Sequence, residues 1–184
     1  MIKIKDIKNN FASKGKVEWI GLRTLSNSSN AANQILHVTS VEALQNHGLA
    51  GDKAGQKPGG KRQVSLIQYE HLAVIASLLN KKSIQPEELR RNIVVSGINL
   101  AALKGVRVKV EDAIIEITGN CAPCTKMERA LGVGGFNAMR NHGGVTAKVL
   151  QGGIINIGSE LTILTEEECS AIDKTEKAKQ ATLF

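Results

Sequence analysis

Aromatic residues are scarce. Only Phe11, Trp19, Tyr69, Phe136 and Phe184 occur in 184 residues, and they are scattered. A platform for single-stranded nucleic acid needs aromatic rings along a groove, so no nucleic-acid partner is expected. Cysteine is scarce too: three residues, an odd number, cannot make a full disulfide framework. The first ten residues, MIKIKDIKNN, lack the continuous apolar stretch of a secretory leader. A reducing, cytoplasmic compartment is the expectation. No window approaches 18 consecutive apolar residues, so no membrane span is expected either. Prolines stand only at positions 58, 86 and 123.

What is present is an ordinary globular composition, 42% hydrophobic and 22% charged, which excludes a disordered chain. A length of 184 residues suits a single domain over 1–184, large enough to fold without disulfides or a structural metal. The 24 Lys and Arg against 17 Asp and Glu leave a net charge of +7, which favours an anionic partner.

Strands are expected where β-branched and apolar residues gather: 16–25, 35–41, 62–68, 92–97, 106–110, 113–118, 145–150 and 161–164. The 106–110 and 113–118 segments read as a hairpin with one basic face, turning at Glu111-Asp112. The 145–150 and 161–164 segments read as a last pair joined by QGGIINIGSE. Leu72, Ile75, Ala76 and Leu79 recur at helical spacing within 69–80. Pro86 with Glu87 and Glu88 opens a short helix. Residues 25–33 form a polar loop, and 46–61, with five glycines and a proline, a long loop without buried helix or strand. The sum is a strand-dominated, mixed α/β, barrel-like fold with flanking short helices. Residues 165–184 form a charged tail, an appended helix or a frayed end.

The sharpest chemical feature is Gly119 to Arg129, GNCAPCTKMER, between a strand and a helical turn. A cysteine at a helix start beside Lys126 and Arg129 is expected to favour its thiolate, and so to act as a nucleophile or soft-metal ligand. Against this stands the ordinary fate of free cysteine, which is to be a small buried apolar residue. A thioredoxin-like reading of Cys121 and Cys124 lacks both the βαβ setting and a later proline to face the motif. A zinc site lacks two further ligands at standard spacing. Basic residues cluster at 57–62, at Arg90-Arg91, at Lys126 with Arg129, and at Arg140 beside His142-Gly143-Gly144. Glycine-rich backbone beside such cations suits a phosphate. His47 and His142, in glycine-rich loops, are better ligand candidates than His37 and His71.

Taken together, Gly48 to Lys53, Arg62 to Leu66, Glu88 to Ile93, Leu100 to Gly105, Cys121 to Met127, and Gly143 to Val145 resemble the MOSC domain, found at the C-terminus of molybdenum cofactor sulfurases. The resemblance covers about residues 20–164. It implies a β-barrel-like fold, a cysteine that carries sulfur or binds molybdenum, and a basic pocket for a phosphorylated pterin. Carried onto this sequence, Cys124 is the persulfide carrier or molybdenum ligand, with Cys121 in support. Arg62, Arg90, Arg91, Asn92 and Lys126 are expected at the anionic ligand, with Gly51, Asp52, Gly143 and Gly144. Where relatives commonly follow Gly-Asp with a basic residue and histidine, this chain has Lys53-Ala54. The expected function is binding of molybdenum cofactor, or a related anion, with sulfur handling at Cys124. The alternatives are a molybdenum-dependent reductase of N-hydroxylated compounds and a non-catalytic cofactor-binding module. A cysteine desulfurase or a separate redox partner is expected, because no fused module for either task is evident. Pyridoxal phosphate is not expected, since no Schiff-base lysine motif is present.

Overall fold

The computed structural model describes residues 3, 7, 10–23, 35–56 and 58–181. The polar loop expected at 25–33, Lys57 and Phe184 lie outside the described residues. Seven strands close into a barrel: β1 (Gly15–Arg23), β5 (Val64–Gln68), β6 (Ile93–Ser96), β7 (Arg107–Val110), β8 (Ala113–Asn120), β9 (Val145–Gln151) and β11 (Glu160–Ile163). Their order is β11-β7-β8-β9-β5-β6-β1, and Gly15 opposite Leu161 closes the ring. Closure leaves these strands no free edge. β2 (Ile35–Val38) extends the sheet beyond β1.

Alternation along the strands builds two cores. Ile93 and Val95 point into the barrel with Val17, Leu66, Ile115 and Leu161. Val94, between them, points outward to a second cluster with Ile67, Leu72, Ile75, Met127 and Leu131. Burial on both faces explains the unbroken apolar run of β6. The β5–β6 pair is parallel, with Leu66 opposite Ile93. A parallel pair needs a crossover, and here it contains α1 (Tyr69–Leu78) and a 3₁₀ turn at Pro86–Leu89. Ile75 seats α1 with its side chain fully buried; truncation to Ala costs about 3 kcal/mol.

Three expectations are corrected. The 35–41 segment is not one strand: it breaks at Thr39, and β3 (Ser40–Leu44) leaves for a separate sheet. In that sheet β3 pairs with β4 (Gly48–Leu49) and with β10 (Gly153–Asn156). The glycine-rich loop thus contributes a short buried strand, with Leu49 fully enclosed. Gly48 adopts a φ of 126°, and a Cβ there would press on the Gln63 carbonyl. Finally, β9 and β11 are not partners: β9 pairs with β8 and β5, whereas β11 pairs with β7 and β1. The chain between them has its own strand, β10.

Beyond the barrel lie α2 (Thr125–Leu131), α3 (Gly135–Ala138) and α4 (Glu166–Ala181). The expected appended helix is α4. It opens with a reciprocal cap between Thr165 and Glu168 and is tied to β7 by Arg107 Nη1 and Asp173, 2.7 Å apart. No described helix is long and apolar enough to cross a membrane.

Candidate functional site

β8 delivers the Cys121–Cys124 segment to the start of α2. The Cys121 N–H donates to the Gly144 carbonyl at 2.9 Å, fixing where the segment leaves the barrel. Met127 and Leu131 bury against the outer core and hold α2 in place. Cys124 is the residue before the helix, extended at φ −137° and ψ 178°, and its side chain makes no capping bond. Its carbonyl accepts from Met127 N–H at 2.8 Å, so the backbone is tied. Cys124 is exposed and Cys121 buried.

Both cysteines line a pocket of about 290 Å³ whose wall carries Arg23, Arg62, Arg90, Arg91 and Lys126 and no carboxylate. Cations crowded around so small a space repel one another, and the Asp52 carboxylate that holds Arg23 from behind offsets part of that repulsion. Arg91 makes the point most sharply. It is only 6% exposed, yet its guanidinium meets backbone carbonyls: Nε donates to Gly143 at 2.7 Å, Nη1 to Leu89 at 3.0 Å and Nη2 to Cys121 at 3.4 Å. No ion pair to a carboxylate is formed by Arg91 among the described residues. Burial draws its pKa below the ordinary arginine value, with Cys121 the largest opposing influence. This buried cation is thus held by carbonyl dipoles rather than by a carboxylate.

Arg23 is held differently. Its Nη2 donates to Asp52 Oδ1 at 2.6 Å and its Nε to Asp52 Oδ2 at 3.1 Å, while the Arg23 backbone N–H also reaches Oδ2 at 2.8 Å. The Asp52 side chain is fully buried and takes further bonds from Asn92 Nδ2 at 2.7 Å and the Ala54 N–H at 2.8 Å. Burial alone would raise the Asp52 pKa; the bonds from Arg23, with its charge and the two backbone donors, outweigh that and leave it below its usual value. Asn92 ties the arrangement to the barrel, accepting from Ser65 Oγ at 2.8 Å and donating to the Gly21 carbonyl at 3.1 Å.

The residues singled out from sequence therefore divide. Cys121, Cys124, Arg62, Arg90, Arg91 and Lys126 come together around the basin. Asp52 and Asn92 stand behind it and hold Arg23. Gly51 is an exposed turn residue at φ 78°. Gly143 and Gly144 line a neighbouring pocket of about 360 Å³ and reach the basin through their carbonyls. Arg140 also lines that neighbour, and Arg129 a cleft beside Arg90 and Lys126. His47 turns back to the Gln45 carbonyl at 3.0 Å. Sequence reasoning missed Arg23, Ser65 and Thr146, which also line the basin. A signal for Arg23 existed: Asp52 is a lone acid in a glycine-rich loop, and a buried acid needs a cation.

A profile of the MOSC domain matches residues 37–162. No curated protein sequence matches the chain. Solved structures similar in fold include the YuaD protein from Bacillus subtilis, with TM-score 0.68 and 20% identity, covering 81% of this chain and 94% of that one. YiiM from Geobacillus stearothermophilus has TM-score 0.66 and 14% identity over 82% of this chain and 75% of its own. YiiM from Escherichia coli has TM-score 0.62 and 18% identity over 84% and 71%. These likenesses agree on the strand-dominated barrel, and with the profile spanning most of that barrel and the cysteine segment, the chain belongs to the MOSC domain family.

Proposed function

We propose that this protein binds a phosphorylated anion of the molybdenum cofactor class in the basin and carries sulfur on Cys124. The observation that supports this most is the buried Arg91 guanidinium without a carboxylate partner, beside an exposed thiol. The residues present fit such a group. Arg23, Arg62, Arg90, Arg91 and Lys126 would hold its phosphate and anionic sulfurs, and Cys124 stands at the same wall. When bound, the cofactor supplies a soft metal centre able to accept sulfur.

The sulfur step needs no net oxidation. The Cys124 thiolate attacks the terminal sulfur of a persulfide on a desulfurase partner. A bond forms between Cys124 Sγ and that sulfur, the partner's S–S bond breaks, and the partner leaves as a thiolate. Arg91 and Lys126 beside Cys124 stabilise the negative charge carried by the attacking and product species. Because Cys124 is exposed, a partner can reach it. A second thiolate that attacks the outer sulfur of the Cys124 persulfide takes it over as its own persulfide: the Cys124 S–S bond breaks and Cys124 leaves as the thiolate.

The test is elemental and sulfur analysis of protein purified from a host that makes molybdenum cofactor. Stoichiometric cyanide-labile sulfur, lost in Cys124→Ala, supports the carrier. Stoichiometric molybdenum lost in the same variant points instead to metal ligation by Cys124, as a reductase of N-hydroxylated compounds would require. Neither signal leaves a passive binding module.

A further inference from the structure

Among the described residues, two buried side-chain polar atoms have no hydrogen-bond partner: Nδ1 of His71 and Nδ1 of His142. Buried polar atoms are ordinarily satisfied, so each exception asks for a reason. The two rings belong together. They meet edge to face with centroids 5.0 Å apart and planes at 80°. His71 is on α1, and His142 is in the turn between α3 and β9, so the contact joins the helical layer to the site.

That turn supports the basin through two carbonyls. Gly143 accepts Arg91 Nε at 2.7 Å, and Gly144 accepts the Cys121 N–H at 2.9 Å. Neither glycine has room to shift freely: a Cβ on Gly143 would press on the Cys121 carbonyl, and one on Gly144 on the Leu66 carbonyl. His142 is thus one residue from the carbonyl that holds Arg91 and two from the carbonyl that holds Cys121.

We propose that the His71–His142 contact is a proton-sensitive latch: closed while the His71 ring is neutral, and opened when acid charges it, loosening the carbonyls that hold Arg91 and Cys121. The consequence for anion binding rests on the reading of the basin given above; the latch itself does not. The charged and titratable groups facing the pair are Glu70 on α1, Arg140 on the turn and Cys121 across the adjoining pocket. Glu70 favours a proton on His71. Burial, then the neighbouring His142, hold His71 below the ordinary histidine pKa, against smaller pulls from the His142 backbone and Glu70. A folded-state value below the unfolded one means the closed form is favoured at pH above about 6.5 and loses its advantage as pH falls below that.

Hydrogen exchange at the Cys121 amide, corrected for its intrinsic rate, reads the latch directly at pH 7.5 and 5.5. Wild type is expected to lose protection about tenfold in acid. His71→Gln and His71→Phe, either of which removes one chargeable ring, are expected to keep it. Equal wild-type protection at both pH values overturns the latch, as does equal loss in wild type and both variants. Sulfate, a dianion throughout this range, then probes the basin. Wild-type affinity is expected to fall several-fold in acid, although added positive charge alone would tighten binding. Tightening in wild type overturns the link from latch to basin. Absence of sulfate binding at either pH overturns the anion-site reading instead, and exchange alone then decides the latch.

Discussion

The molecule offers two concave regions of opposite character. The roomier, about 990 Å³, lies between α1 and the 81–87 connection and mixes Glu18, Glu70 and Glu87 with Lys81 and Lys82. The cysteine basin has less than a third of that volume, yet carries five cations and no acid on its wall. The cleft wall carries both signs of charge. In the basin like charges are forced together by a folded frame, through the Asp52 carboxylate on Arg23 and three carbonyls on Arg91. Folding free energy spent on holding like charges side by side marks a site more reliably than volume does.

The comparison is broken or sharpened first at the sulfur. Cys124→Ser is expected to remove all cyanide-labile sulfur. Because the residue is exposed and makes no cap bond, stability should stay within about 0.5 kcal/mol of wild type. Retained labile sulfur in this variant would move the chemistry off Cys124. Next comes the buried cation: Arg91→Met is expected to weaken inorganic pyrophosphate on the order of 100-fold. Arg62→Ala, at an exposed position, should weaken it no more than about fivefold. Titration calorimetry of both variants measures the contrast, and equal losses would mean that burial contributes nothing.

Asp52→Asn tests whether the frame, rather than the number of cations, makes the site. It leaves all five cations in place but takes the charged partner from Arg23. Breaking such a pair should destabilise the fold by about 3 kcal/mol and weaken pyrophosphate about tenfold. The pH dependence has a definite sign. The Asp52 pKa in the folded state lies below the ordinary aspartate value, because burial, which raises it, is outweighed by the bonds from Arg23 and the nearby charge. Its contribution is therefore complete above the unfolded value and fades as pH falls through the folded one. Chemical denaturation of wild type and variant should converge as the pH is lowered through that window. A constant gap down to the lowest accessible pH would contradict the pairing.

Much of the barrel was legible because alternation is a local property. The β7–β8 hairpin, the apolar run of β6 and the helical spacing of α1 each announce themselves within one segment. What hid was decided at a distance. The break at Thr39 follows from β3 joining a different sheet, and β4 is a strand only because Leu49 meets Ala43. At the site, Cys124, Arg62, Arg90, Arg91 and Lys126 stood out as a thiol and cations in motifs. The sequence placed Asp52 and Asn92 among ligand-binding residues, yet their side chains are spent on Arg23 and the barrel. Which way a buried polar side chain faces depends on partners 27 to 71 positions away in the chain, and no local pattern records that.

The smallest expected effect comes from the cleft. Ser77 is exposed on α1 and lines it, whereas the buried contacts of that helix run through Leu72, Ile75 and Ala76. Ser77→Tyr would occupy part of the cleft without touching those contacts or adding charge. Charges lining the cleft act on the basin only weakly, because exposed groups are screened beyond about 8 Å at physiological ionic strength. Pyrophosphate affinity and labile sulfur should therefore both stay within about twofold of wild type. Loss of either by tenfold would show that the cleft is coupled to the basin through α1, which touches both the cleft and, through His71, the turn supporting Arg91.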